Sequence, residues 1–148
     1  MKNAFVTRRR VEFMDTDMAG IVHFATFFRY METAEHELLR KLGIPVVARL
    51  DERPLGWPRV SCGFEYRRPV RFPGEIEVHL GVARLGDKSI TYEAQIVQGG
   101  KMLAKGHSTC ACCEVGPAHQ LKSIAVPGDI VEKLRPYLIP TDSEKEDA

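Results

Sequence analysis

Hydrophobic and polar positions change their period along this chain, and each change predicts an element. Residues 5–13, FVTRRRVEF, alternate: Phe5, Thr7, Arg9, Val11 and Phe13 share one face, while Val6, Arg8, Arg10 and Glu12 share the other, as in a β-strand. From about Phe24 to Leu42 the interval lengthens to three and four residues. Phe24, Phe27, Phe28, Met31, Ala34, Leu38 and Leu42 form an apolar stripe that Glu35 alone interrupts. Arg29, Glu32, Thr33, His36, Glu37 and Arg40 fall on the other faces, so the spacing predicts an amphipathic helix of about five turns. Gly43 and the following Ile44-Pro45 end it.

Period two then returns. Val60, Cys62, Phe64 and Tyr66 alternate, then Ile76, Val78, Leu80 and Val82, then Ile90, Tyr92, Ala94 and Ile96. Gly99-Gly100 marks a hairpin into a last strand over about Lys101 to Val115. The segment PVVARLDERPLGWP, broken by Pro45, Pro54, Gly56 and Pro58, reads as an irregular connection. VPGDIVEKLRPYL reads as a short helix with Asp129 in its first turn and Pro136 near its end. Strands joined by short turns are antiparallel neighbours. The expected class is therefore α+β, a long antiparallel sheet wrapped around one central helix, with free edges that favour a dimer.

Composition narrows the function classes. The 148 residues suit one domain, assigned to 1–138 and followed by a polar tail over 139–148 that is expected to be disordered. Formal net charge is +1, from 21 basic and 20 acidic side chains, which argues against a dedicated nucleic-acid binder. No segment has the length of apolar sequence that a membrane span needs, and charges break up the N-terminus where a signal peptide is apolar. A cytoplasmic protein is expected. Of the four cysteines, Cys110 and Cys113 fit C-x-x-C, but no second such pair completes a metal site. Cys110, Cys112 and Cys113 lie in a strand-like stretch where reduced thiols pack as small apolar groups, and no metal is assigned.

The candidate chemistry lies just ahead of the long helix. A helix start offers free backbone N–H groups and a positive dipole end, which stabilise a carbonyl oxygen as it becomes an oxyanion. Asp15 and Asp17 stand within nine residues of Phe24, and Gly20 allows a sharp turn or a close substrate approach. A carboxylate beside a polarised carbonyl can attack it or activate water, which suits acyl transfer or ester hydrolysis. The same residues also suit turns and caps, where Asp accepts backbone N–H bonds.

Taken together, VEFMDTDMAGIVHFATFFRYMETAEHELLRKLGI resembles the signature of hotdog-fold acyl-CoA thioesterases of the 4-hydroxybenzoyl-CoA thioesterase type. The pattern is carried by Asp15, Asp17, Gly20, Val22, His23, Phe24 and Glu32; Tyr66 and Pro69 match a later turn, and the likeness spans about residues 5 to 115. The resemblance implies a hotdog fold, paired into homodimers and often homotetramers, with the acyl site between subunits. It implies that Asp17 is the catalytic nucleophile or general base, that Asp15 is mainly structural, and that the Phe24 backbone N–H polarises the thioester carbonyl. His23 is the further catalytic candidate, to orient the thioester or line the pocket. Gly20 and Val22 would border the substrate. Coenzyme A is then part of the substrate and no separate cofactor is implied. Its phosphates call for basic groups: Arg84 and Lys88 with Ser89 as a hydrogen-bond donor form one cluster, and Arg67, Arg68 and Arg71 form a second. A module that binds acyl thioesters without cleaving them, and a hotdog dehydratase pairing His23 with Asp17, remain as alternatives.

Overall fold

The computed structural model describes residues 1–47, 49–50 and 52–140. Strand β1 spans Phe5–Val11, helix α1 Thr26–Lys41, β2 Arg49–Leu50, β3 Arg53–Gly56 and β4 Arg59–Tyr66. They are followed by β5 Gly74–Leu85, β6 Ser89–Gln98, β7 Lys101–Ala111, β8 Cys113–Val115, β9 Leu121–Ser123 and α2 Gly128–Leu134. The main sheet has the order β1-β5-β6-β7-β4, and all of its pairings are antiparallel. It wraps one face around α1, which is the hotdog arrangement.

The core forms where the two periods meet. Phe27, Met31, Ala34 and Leu38 recur at helical spacing on α1, and Val78, Leu80, Ile90, Tyr92 and Ile96 alternate on the strands; all are buried in one cluster. The helix stops as its sequence requires. Gly43 adopts φ +66, Gly43 N–H donates to Arg40 O at 3.1 Å, and Ile44 N–H donates to Leu39 O at 2.8 Å. These two bonds satisfy the last carbonyls in a Schellman motif. The helix begins at Thr26, two residues later than its apolar stripe suggests, because His23 to Ala25 form a turn in which Ala25 N–H donates to His23 Nδ1 and Thr26 N–H to His23 O.

Three segments differ from the pattern-based expectation. The connection after α1 holds β2 and β3, which join β8 and β9 in a second, four-stranded sheet. Strands of two and four residues are too short to show alternation; β2 pairs with the neighbouring β3, and β3 pairs with β8, far along the chain. The last long strand breaks at Cys112, and β8 leaves for the second sheet. Ile139 N–H donates to Val82 O at 3.0 Å, so the chain runs beside β5 beyond the start of β1. Most of the expected polar tail, residues 141–148, lies outside the described residues.

Cys110, Cys112 and Cys113 are buried, and burial pushes the thiols of Cys110 and Cys112 up to about 11. Among the described residues no helix is long and apolar enough to cross a membrane.

Candidate active site

The loop before α1 is a small hairpin. Thr16 bridges to Val22, Asp17 N–H donates to Ile21 O at 3.0 Å, and Gly20 N–H donates to Asp17 O at 3.0 Å. Gly20 sits at φ +74, the left-handed position that such a tight loop requires. The hairpin is fixed to the segment before β5 by an Ile21–Arg71 bridge and by Val22 N–H to Val70 O at 2.8 Å. Val22, Asp17 and Arg71 therefore share one wall.

Its two acids have different environments. Asp15 is buried; its Oδ2 accepts from Glu12 N–H and from the Tyr30 hydroxyl, each at 2.9 Å. Its carbonyl accepts from His23 N–H at 2.8 Å. Asp15 thus ties the hairpin to the first turns of α1. Burial, and then the bond to Asp15, raise the pKa of Tyr30 and keep it a hydrogen-bond donor. Tyr30→Phe removes that donor and leaves Asp15 Oδ2 only the Glu12 amide; a loss of about 1–2 kcal/mol is expected, read as a lower urea midpoint at unchanged slope. Asp17 is exposed and makes one local contact, Oδ1 accepting from Ala19 N–H at 2.8 Å.

Asp17 borders a cavity of about 590 Å³. Val22, Phe24 and Phe27 give it an apolar wall, Tyr66 closes one side, and Arg67, Arg68 and Arg71 line it as well. Tyr66 is anchored through its hydroxyl, which donates to Phe24 O at 2.9 Å. The helix start at this cavity has no side-chain cap. Among the described residues the Phe24 N–H has no hydrogen-bond acceptor, so it is available to a ligand. His23 stacks on Phe24 with ring centroids 4.5 Å apart, and its Nδ1 accepts from Ala25 N–H at 3.1 Å. That bond holds the helix entry and leaves Nε2 as the free ring nitrogen. Gly20 shapes the loop without bordering the cavity.

A single chain does not bring Arg84, Lys88 and Ser89 to this cavity. The cavity lies at the Tyr66–Ala104–Ile96 register row, and Ser89 pairs with Ala111 seven residues away along β6, roughly 23 Å at strand rise. Arg67, Arg68 and Arg71 instead supply the basic groups there. They form no ion pair within the described residues.

Sequence patterning missed two features. One is the Tyr66 anchor on Phe24 O, which links positions 42 residues apart. The other is an ion pair farther along α1: Glu35, 4% exposed, meets Arg59 of β4, with Nη2 3.0 Å from Oε1 and Nη1 2.8 Å from Oε2. An acid on an apolar stripe was the available sign of a buried charge that needs a cation. A smaller cavity of about 240 Å³ opens beside this pair, with Phe28, Met31, Cys62 and Ser108 in its walls.

Phe64 of β4 packs against Phe27, which lines the first cavity, and against Phe28, which lines the second. Its ring lies 5.8 Å from that of Phe27 and 5.1 Å from that of Phe28, centroid to centroid. It rests on β7 at Gly106, where a Cβ would stand 2.6 Å from the ring carbons.

A family model for the thioesterase-like superfamily matches residues 11–134. The acyl-CoA thioesterase YbgC of Haemophilus influenzae is 25% identical over 130 residues, covering 88% of this chain and 93% of that protein. A hypothetical protein of Aquifex aeolicus superposes with a TM-score of 0.79 at 31% identity, covering 88% of this chain and 98% of that one. The dynemicin thioesterase superposes with a TM-score of 0.83 at 25% identity, covering 93% and 99%.

Proposed function

The chain belongs to the thioesterase-like superfamily, and from that premise we propose that it hydrolyses the thioester of an acyl-coenzyme A. The observation that carries this reading is one cavity shared by the Asp17 carboxylate, the uncapped start of α1 and three arginines without an ion-pair partner among the described residues. The thioester carbonyl would dock at the Phe24 amide, whose N–H and the helix dipole stabilise the oxyanion. Asp17 takes a proton from the attacking water or attacks the carbonyl carbon itself; the tetrahedral intermediate collapses and expels the coenzyme A thiolate, and in the second route water then cleaves the acyl–Asp17 anhydride to free the acid. His23 steadies the helix entry through Ala25 and stacks on Phe24 of the cavity wall, a positioning role. Val22 and Phe27 bear on the acyl group, and Gly20 sets the turn that presents Asp17.

Arg67, Arg68 and Arg71 would meet the coenzyme phosphates. Arg84, Lys88 and Ser89 can serve the coenzyme only where a second chain carries their turn to the cavity. Such a chain has a place to dock: β4 is an edge strand and mostly exposed, which favours a homodimer pairing β4 edges, or a homotetramer of two such pairs. Free thiols at Cys62, Cys110, Cys112 and Cys113 suit a cytoplasmic setting.

The test is thiol release from aromatic, branched and straight-chain acyl-CoA substrates. Hydrolysis of at least one class supports the reading; tight binding with no thiol released from any would replace it with a non-hydrolytic acyl-thioester binder. Replacing Arg67, Arg68 and Arg71 together with Ser is expected to raise KM by about tenfold or more, with kcat nearly unchanged, and to flatten its dependence on ionic strength.

A further inference from the structure

A backbone amide can serve as an oxyanion donor only if its direction is fixed. A trans peptide points its C=O and its N–H opposite ways. His23 O accepts from Thr26 N–H at 2.9 Å, so the His23–Phe24 peptide turns its carbonyl toward α1 and its N–H away from it. The next peptide is held from both sides. Ala25 N–H donates to His23 Nδ1 at 3.1 Å, and Phe24 O accepts from the Tyr66 hydroxyl at 2.9 Å. Phe24 thus joins two peptide planes that are each tied down.

The Tyr66 bond differs from the others. Those of His23, Ala25 and Thr26 close within the loop and the first turn, whereas Tyr66 reaches in from the end of β4, 42 residues away. It also occupies a carbonyl that a regular helix would use, since an α-helix would bond Phe28 N–H to Phe24 O. Here Phe28 N–H bonds to Ala25 O at 3.3 Å, and among the described residues no backbone N–H donates to Phe24 O. The hydroxyl therefore keeps α1 from winding back over Phe24. The Tyr66 ring has its own packing, 5.0 Å from the Phe27 ring and 6.0 Å from the Phe64 ring between centroids. The residue is 46% exposed, so water could satisfy its hydroxyl; the bond to Phe24 O acts on the helix entry and not on the core.

We propose that Tyr66 is a positioning residue for thioester hydrolysis: its hydroxyl holds Phe24 O and so sets the direction in which the Phe24 N–H meets the substrate carbonyl. This rests on the thioesterase reading, which places that carbonyl at Phe24. An oxyanion donor acts at about 2.7–3.1 Å, and a misplacement of about 1 Å lowers the rate by on the order of 10²-fold.

Tyr66→Phe keeps the ring and removes the hydroxyl. Its kcat is expected to fall by about 10- to 100-fold, with KM within roughly threefold of the wild type and a similar urea midpoint. A fluorinated tyrosine placed at position 66 alone keeps the hydroxyl and lowers its pKa. The kcat of that protein is expected to fall as pH rises through the lowered value, because a phenolate cannot donate. Burial pushes the wild-type phenol up, so it stays protonated over the same interval. A tyrosine that only packs would give neither effect. A kcat within about twofold of the wild type in Tyr66→Phe, or a fluorinated protein that follows the wild-type pH profile, would overturn the proposal. The fluorinated protein decides alone if Tyr66→Phe does not fold. His23–Phe24 is the one His-Phe pair in the sequence, so isotopic labelling of His carbonyl carbons and Phe amide nitrogens marks the Phe24 amide by NMR without any turnover. That signal is expected to move in Tyr66→Phe, and an unmoved signal overturns the proposal. A wild type that hydrolyses no acyl-CoA while the signal moves removes the thioesterase reading and keeps Tyr66 as the residue that sets this amide; hydrolysis with an unmoved signal does the reverse.

Discussion

Asp17→Asn is expected to lower kcat by about 10³-fold while the protein stays folded. Asn keeps the shape of Asp and can still accept the Ala19 amide through its side-chain oxygen, so the hairpin turn persists. What it removes is the negative charge that attacks the carbonyl or draws a proton from water. Since Asp17 is exposed and makes a single local bond, the stability change should stay within about 0.5 kcal/mol. Thiol-release kinetics on the best substrate of the wild type, with urea unfolding as the fold control, read both halves. A KM close to wild type with a collapsed kcat locates the loss in the transition state. Turnover like that of the wild type would mean that another group does the chemistry, and Asp15 is poorly placed for it because Tyr30 and Glu12 occupy its Oδ2.

Arg59→Met should produce the largest stability loss outside the apolar core, about 2–4 kcal/mol. Glu35 has only 5% of its side chain exposed, and Arg59 is its one ion-pair partner among the described residues. Burial raises the pKa of Glu35 above 4.5, and the Arg59 hydrogen bond and charge oppose that rise. Removing Arg59 leaves the burial opposed only by the weaker influence of His36. The sign of the pH effect follows. The folded variant holds a proton on Glu35 at pH values where the unfolded chain, near 4.5, has released it. This contribution to stability is therefore full below the unfolded pKa and is lost as pH rises through the folded one. Urea midpoints of Arg59→Met are expected to increase as pH is lowered from neutrality toward 5, relative to the wild type. Adding Glu35→Gln should recover most of the loss and abolish the pH trend, because no buried charge then lacks a partner. A single variant as stable as the wild type would show that the pair contributes little to folding.

How much of this was legible in the sequence depended on the range of the interaction. The helix and the four long strands after it announced themselves through local period, and Gly43, Gly99 and Gly100 through the positive φ angles that they adopt. Asp15 to His23 was legible as a loop with a possible sharp turn at Gly20, but its closure into a hairpin by the Thr16–Val22 bridge and the Asp17–Ile21 bond was not. The second sheet was not, since β3 finds its partner β8 almost sixty residues later and both are too short to alternate. Pairing of Glu35 with Arg59 shows the same limit: the intruding acid was visible on the helix stripe, but its cation is placed by the register of an edge strand. The choice between two basic clusters was likewise a matter of register. Arg67, Arg68 and Arg71 follow β4 directly at the cavity, whereas Arg84 and Lys88 sit at the far end of β5 and β6.

The missing methyl at Gly106 matters beyond β7. Its ring neighbour, Phe64, supports Phe27 of one chamber and Phe28 of the other, and it lies as low as it does because nothing projects beneath it. Even an alanine there would displace the ring and, with it, the two phenylalanines that it supports. The shape of the cavity at Asp17 can thus be altered from a strand position that borders neither compartment, and a screen confined to their walls would overlook it.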